Sequence, residues 1–249
     1  MTMTRGVRIM AAPCCGARFS APRYLSMNFS AYAFWTDGWR EHSLMPNGEG
    51  LRQCSCGKFI LFKDLVEFDS AETSDLPIIK RVSPELLPVC IASSENEDLE
   101  VAARLEYWRE LNHAYRERYR IHRDAEEADN KAEWEAQNPD RRTWWDKLRG
   151  RKASTYAMTE ATRFTVPEFE PSDEQLQNMD RLCEILLDWY NNSRSWYNIN
   201  LAELYREQQR FTEAEKMIST VNKQDTGVTS KLISKLIQEK QPALIRYRM

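Results

Sequence analysis

The sequence predicts an α+β chain that is mostly α: a small β module at the N-terminus, then a long helix and a C-terminal helical bundle or repeat-like stack. Three observations lead there. Six of the eight glycines lie before residue 58, so turn chemistry is concentrated in the first quarter. Beyond residue 93, apolar residues recur at spacings of three and four, the period of a helix with one buried face. Pro84, Pro88, Pro139, Pro167, Pro171 and Pro242 fall between the periodic segments rather than inside them.

The bulk properties narrow the class. The chain has 249 residues, 42% hydrophobic and 29% charged, enough for one large domain or one small and one medium domain, and too apolar for a disordered chain. A net charge of −3 gives no general pull toward nucleic acid, but residues 1–60 hold seven Lys/Arg against three Asp/Glu. No run of about 18 apolar residues is present, so no transmembrane helix is expected. The opening MTMTRGVRIMAAP lacks the apolar stretch of a secretory signal. Met10 offers an alternative start, which leaves residues 1–9 as a flexible tail. The expected compartment is the cytoplasm, where cysteines stay reduced and point to metal or redox chemistry before disulfides.

Residues 10–66 read as short strands and turns, punctuated at Gly16, Asp37-Gly38, Asn47-Gly48 and Gly57. Phe59 to Phe62 is an apolar run of strand length. Tyr32, Phe34, Trp35 and Trp39 are expected to cover one face of this module. Residues 67–93 form a linker with local structure. Ser94 and Glu97 have capping-box spacing and open a helix over 94–137, with Val101, Leu105, Trp108, Leu111, Tyr115 and Tyr119 on its stripe. The second half of that helix is nearly all polar and needs charge pairs or a partner surface. Residues 138–171 are a connector containing the basic Trp segment RRTWWDKLRGRK. Ser172 and Gln175 form a second capping box, which opens a bundle over 172–245. Its helices are expected at 173–190, 195–208, 212–222 and 227–240, the last with Val228, Leu232, Leu236 and Ile237 inward.

The six cysteines carry the most chemistry. Cys14-Cys15-Gly16 and Cys54-Ser55-Cys56-Gly57-Lys58 are two cysteine turns separated by about 40 residues of β-type sequence. A thiolate followed by glycine suits a tight turn whose backbone amides point at sulfur. Over residues 12–60 the chain resembles zinc-ribbon proteins. Their turn is Cys-x-x-Cys-Gly; here Ala12-Pro13-Cys14-Cys15-Gly16 and Gln53-Cys54-Ser55-Cys56-Gly57 keep the cysteine before glycine and lack the one three places earlier. The resemblance implies a structural zinc ion held by Cys14, Cys15, Cys54 and Cys56. Adjacent cysteines reach one ion only with unusual backbone geometry, so Cys15 and Cys56 rank first, Cys54 next and Cys14 last, with His42 as its substitute. The bland reading is a ribbon without metal, its cysteines packed as small apolar residues. Cys183 lies on a helical stripe and reads as core; Cys90 has no histidine near it in sequence.

Residues 201–218 resemble one tetratricopeptide motif. Leu201-Ala202 match the large–small pair of its first helix, Tyr205 its aromatic, Phe211 and Ala214 the turn and the small contact, and Ile218 the later apolar site. Asn198, Gln209 and Thr226 depart from the tryptophan, glycine and proline of that motif, with Trp196 close to the first. The resemblance implies a face that binds a peptide or protein, although a single unit serves equally as ordinary helical packing. Taken together, the two parts look like uncharacterised bacterial proteins that join a zinc ribbon to helical repeats.

Trp144 and Trp145 lie among arginines and could stack on nucleobases or sit at a membrane surface. The simpler expectation docks them on the core with the charges facing water. The sequence holds no Walker loop, G-x-G-x-x-G, G-x-S-x-G or H-E-x-x-H, and its three histidines form no constellation. The reading is therefore a non-enzymatic interaction or adaptor protein with a protein or peptide partner. A nucleic-acid-associated factor comes second, on Arg18, Arg23, Arg52 and Lys58 of the module. An enzyme with a site between the ribbon and the helices comes third, to be judged by whether a deep pocket with convergent polar groups exists there.

Overall fold

The structure is a computed structural model that describes residues 3–26, 31–42, 50–68, 75–140, 142–152, 154–156, 165–192, 194, 197–221 and 227–248. Asn47-Gly48, Trp196 and Thr226 lie outside the described residues. The strands are β1 (Met3–Ala11), β2 (Arg18–Ser26), β3 (Ala33–Trp35), β4 (Arg40–Glu41), β5 (Leu51–Gln53), β6 (Phe59–Leu61), β7 (Val66–Phe68) and β8 (Lys80–Arg81). The helices α1 (Leu87–Ala92), α2 (Glu97–Leu111), α3 (His113–Gln137), α4 (Trp144–Leu148), α5 (Asp173–Asn191), α6 (Asn198–Glu207), α7 (Phe211–Thr220) and α8 (Val228–Gln238) follow, and β9 (Arg246–Tyr247) ends the series. The class is α+β, mostly α. No helix among the described residues is long and apolar enough to cross a membrane.

The chain divides into two compact units, one of residues 1–112 with 170–249 and one of residues 113–169. In the first, three small antiparallel sheets have the strand orders β2-β1-β7, β4-β3-β9 and β6-β5-β8. Residues 3–9, expected as a loose tail, form most of β1. The strand is held on both sides: Ile9 pairs with Ser20 and with Phe68, and Met10 with Phe19 and with Glu67. Ile9 and Met10 are buried there, so a partner on each edge rather than a strong local pattern makes this segment a strand.

The helical core gathers Trp108 of α2, Met179 and Leu182 of α5, Leu201 and Ala202 of α6, Ala214 and Met217 of α7, and Ile233 of α8. Cys183 packs in the same cluster, as its stripe position predicts. The Ser172–Gln175 capping box forms in full, the Gln175 amide donating to Ser172 Oγ and the Ser172 amide to Gln175 Oε1. The box expected at Ser94 does not. Asn96 caps α2 by accepting from the Leu99 amide at 2.9 Å, while Ser94 Oγ donates to the Cys90 carbonyl at the end of α1. On α8, Val228 is exposed and Ile233 is buried instead. Of the aromatics at 32–39, Trp35 is fully buried, whereas Tyr32 and Trp39 face solvent.

The helix expected over 94–137 is present as α2 and α3 on either side of Asn112. The Asn112 side chain is buried, donating to Asp37 Oδ2 and Glu207 Oε2 and accepting from Gln175 Nε2 at 3.0 Å. An apolar stripe does not register such a residue, because the stripe counts only what surrounds it. Next to it lies a buried ion pair. Arg206 Nε donates to Glu203 Oε2 at 2.8 Å, Nη1 to the carbonyls of Ala243 (2.9 Å) and Gln241, and Nη2 to Thr36 Oγ1 at 3.4 Å. Both side chains are fully buried. One guanidinium therefore ties α6 to the turn after β3 and to the segment that leads into β9.

In the second unit, residues 165–169 return along α3. Tyr115 stacks edge-on against Phe169 at 5.1 Å and donates to the Pro167 carbonyl. His122 Nε2 meets Thr165 Oγ1 at 2.7 Å, and the Thr165 amide donates to Glu126. Trp134 contacts Tyr156, and Lys131 pairs with Glu135 one turn on, so a charge pair and the returning segment support the polar half of α3. Trp144 and Trp145 do not dock on a core. They pack edge-on against each other at 4.4 Å and remain 64% and 60% exposed. Helix α4 is only five residues long, too short to present one buried face.

Glu207 is fully buried; Trp108 Nε1 donates to its Oε2 at 2.8 Å, and its Oε1 has no partner. Burial, reinforced by the nearby charges of Glu203 and Asp37, raises its carboxyl well above the ordinary range despite Arg206. A raised carboxyl pKa means that the folded state holds a proton that the unfolded chain gives up. Stability on this account is full below the unfolded value and is lost as pH rises through the folded one. Urea unfolding at pH 5 and pH 8 should show Glu207→Gln gaining stability relative to the native chain at pH 8 and little at pH 5. An equal shift at both pH values would show that Glu207 is not the titrating group.

Candidate metal centre

Each cysteine pair sits at the tip of a β-hairpin. Between β1 and β2, the Ala12 amide donates to the Ala17 carbonyl at 2.9 Å and the Gly16 amide to the Ala12 carbonyl at 2.8 Å. Between β5 and β6, the Cys54 amide donates to the Lys58 carbonyl at 2.8 Å and the Gly57 amide to the Cys54 carbonyl at 2.9 Å. Both turns close only because the residue after the last cysteine is left-handed: Gly16 has φ +71° and Gly57 +88°. The two hairpins belong to different sheets, and their tips face each other.

The four sulfurs of Cys14, Cys15, Cys54 and Cys56 all lie within 4.8 Å of one another and could hold a metal ion. Cys14 Sγ is 3.5 Å from Cys56 Sγ, Cys15 Sγ is 3.4 Å from Cys54 Sγ, and the adjacent Cys14 and Cys15 sulfurs are 4.0 Å apart. A tetrahedron of thiolates about 2.3 Å from a central ion has edges of about 3.8 Å, so the observed separations bracket that geometry. Cys14, ranked last from sequence, reaches the group as closely as the others, because the turn at 12–17 directs both adjacent side chains to one side. His42 is exposed after β4 and is not among the grouped donors of the described residues.

The surroundings are graded. Cys54 is buried among Met10, Ala12, Phe19, Ile60 and Leu65, Cys14 is half-buried, and Cys15 and Cys56 are exposed. Burial opposes ionisation of Cys54, yet the Cys56 amide and the neighbouring thiols donate to its sulfur and bring it down to about 7. Burial, with hydrogen bonds to Cys54, Cys56 and Cys15, pushes Cys14 up to about 12. For Cys15, the Ala17 amide favours the thiolate, but the bond to Cys54 and burial outweigh it and the thiol is raised. The hydrogen bonds thus favour the thiolate at Cys54 and disfavour it at Cys14 and Cys15. Lys58 stands beside the group and pairs with Glu95 at 2.7 Å.

Cys90 and Cys183 take no part. Both are buried, and burial pushes their thiols up to about 11 and about 12. A cleft of about 790 Å³ lies between the β module and α2, where the third expectation placed a site, although the residues that border it, Lys63, Asp98, Glu106, Arg109, Trp189 and Tyr197, were not named from sequence. These residues are scattered over 135 positions of sequence, from Lys63 to Tyr197, with no common motif. Comparison with protein-family models, curated proteins and solved structures returned no match.

The space beyond Gly57 is open, with nothing within 4 Å of where a Cβ would lie. Gly57→Ala should therefore act through the backbone alone and lower the unfolding free energy by about 1–2 kcal/mol, measured in urea. An unchanged midpoint would mean that the left-handed turn is not required.

Proposed function

We propose that Cys14, Cys15, Cys54 and Cys56 bind one Zn²⁺ with a structural role, and that the chain is a non-enzymatic interaction protein of the cytoplasm. The observation that carries the first part is the four-sulfur group itself: all-thiolate donors at tetrahedral separations suit zinc better than a hard cation. The ion would clamp the β1–β2 hairpin to the β5–β6 hairpin, and in so small a β module metal binding contributes directly to folding. Two exposed surfaces support the second part. Met3, Val7, Leu25, Val66 and Phe68 leave apolar area uncovered on the sheet of β1, β2 and β7. Trp144, Trp145 and Leu148 do the same in the basic segment of the second unit. The α6–α7 hairpin supports a repeat-like reading as well, since Ala202 and Ala214 are fully buried and Gln209, at the motif's glycine position, has φ +60°.

A second reading rests on the cleft beside α2. Arg109 reaches into it with its guanidinium bonded to the Asp37 carbonyl at 3.1 Å, and burial lowers its pKa. Convergent polar groups in a concavity of this size suit a small-molecule site.

Elemental analysis of the purified chain should find one zinc per chain, and Cys15→Ser or Cys56→Ser should remove it and lower the melting temperature. Substoichiometric zinc that Cys56→Ser leaves unchanged would end the metal assignment. Zinc must displace thiol protons, the Cys14 proton among them, so its apparent affinity should fall steadily as pH drops below 7 in a competition titration with a chromophoric chelator.

The interaction reading is checked by affinity capture from the native host, repeated with Trp144→Ala/Trp145→Ala and with Cys15→Ser/Cys56→Ser. A specific partner should be lost in one of these variants. A capture profile identical in all three chains would remove both surfaces from consideration.

A further inference from the structure

The segment after α3 is a closed loop, not an open linker. Arg142 Nη1 donates to the Arg151 carbonyl at 2.7 Å, while its Nε and Nη2 donate to Asp140 at 2.8 Å and 2.9 Å. Residues 142 and 151 are thereby held together, and α4 lies between them. The helix ends where the Arg149 amide donates to the Trp145 carbonyl at 3.0 Å. Gly150, left-handed at φ +71°, then turns the chain back toward Arg142. On a helix, positions 144, 145 and 148 share one face. That face carries Trp144, Trp145 and Leu148, all three largely exposed. Apolar side chains exposed singly are ordinary, but three together on one closed loop mark a contact surface.

The ground around them is basic. Residues 139–156 contain six Lys/Arg against Asp140 and Asp146, counted over every residue of the stretch. Arg149 and Lys152, which flank the apolar face on its C-terminal side, are exposed. At the adjoining end of α3, Glu133 accepts from Gln137 and Glu135 pairs with Lys131. The chain as a whole carries −3, so attraction to an anionic surface has to come from this loop. The two indoles also discriminate between anionic surfaces. Their rings meet at 4.4 Å and 71°, the edge of one against the face of the other. Consecutive bases of a single strand stack on open, parallel faces, which this pair does not offer. A bilayer interface sets no such condition. Indoles settle at headgroup level, and an anionic leaflet attracts neighbouring Lys and Arg.

We infer that α4 and its flanking cations dock on a bilayer leaflet that contains anionic phospholipid. Trp144, Trp145 and Leu148 enter the interface, and Arg149 and Lys152 meet the headgroups. A helix of five residues lies on such a surface and does not span it. The inference rests on the reading of this segment as a contact surface and assigns that surface a lipid occupant. It does not depend on which ion the thiols hold.

Sedimentation of the full chain with vesicles tests it, using phosphatidylcholine alone and phosphatidylcholine mixed with phosphatidylglycerol, at low ionic strength. The chain should pellet with the mixed vesicles and not with the neutral ones, and its tryptophan emission should shift to the blue. Trp144→Ala/Trp145→Ala should weaken partitioning about tenfold or more and remove the spectral shift. Arg149→Gln/Lys152→Gln should weaken partitioning about tenfold or more as well. All four side chains are exposed, so both variants should keep the native circular dichroism. Absence of pelleting with the mixed vesicles, or equal partitioning of the tryptophan variant, overturns the inference. If vesicles are ignored while a captured protein or a single-stranded RNA depends on Trp144 and Trp145, the lipid assignment falls and the contact surface stands. If nothing that binds the chain depends on them, both fall.

Discussion

The buried pair of Glu203 and Arg206 is the constraint on which the arrangement of the first unit rests. Withdrawing two charges from water costs several kcal/mol per ion, and attraction between them offsets that only when the remaining donors are satisfied. Here Arg206 meets that condition with backbone carbonyls of Gln241 and Ala243 and with Thr36. The bonds that make the pair tolerable are thus the ones that fix the C-terminal segment beside the turn after β3. Once that segment is held, β9 can pair with β3, and Arg246 reaches Glu41 at 2.8 Å, where Glu41 also accepts from Trp35 Nε1. A charge on one helix therefore sets the position of residues far apart in sequence.

The β module needs a different kind of support. Its sheets are built from strands mostly two or three residues long, and the apolar cluster around Met10, Phe19, Cys54 and Ile60 is small. Burial on that scale contributes little against the entropy of ordering so many turns. The hairpins β1–β2 and β5–β6 lie in separate sheets, and among the described residues no ladder of backbone bonds joins their tips. A tetrahedral ion between the tips would act where the module is weakest, and Cys54, buried in the apolar cluster, links that ion to the packing beneath it.

Much of this was legible in the sequence, for reasons that differ by element. The fold class, the helices of the C-terminal stack and the Ser172 cap followed from periodicity and from local hydrogen-bond chemistry, which a short window contains. The cysteine turns were legible because glycine after cysteine marks a left-handed residue, as Gly16 and Gly57 are. What escaped depends on partners distant in sequence. Nothing in residues 3–9 announces a strand with a neighbour on each edge. Asn112 interrupts an apolar stripe for the sake of Asp37, Gln175 and Glu207, none of which a helical window includes. Trp144 and Trp145 read as core because tryptophans usually bury, and that expectation fails in a helix too short to present a face. Arg81 carries no motif; only the β5–β8 register sets it opposite Arg52.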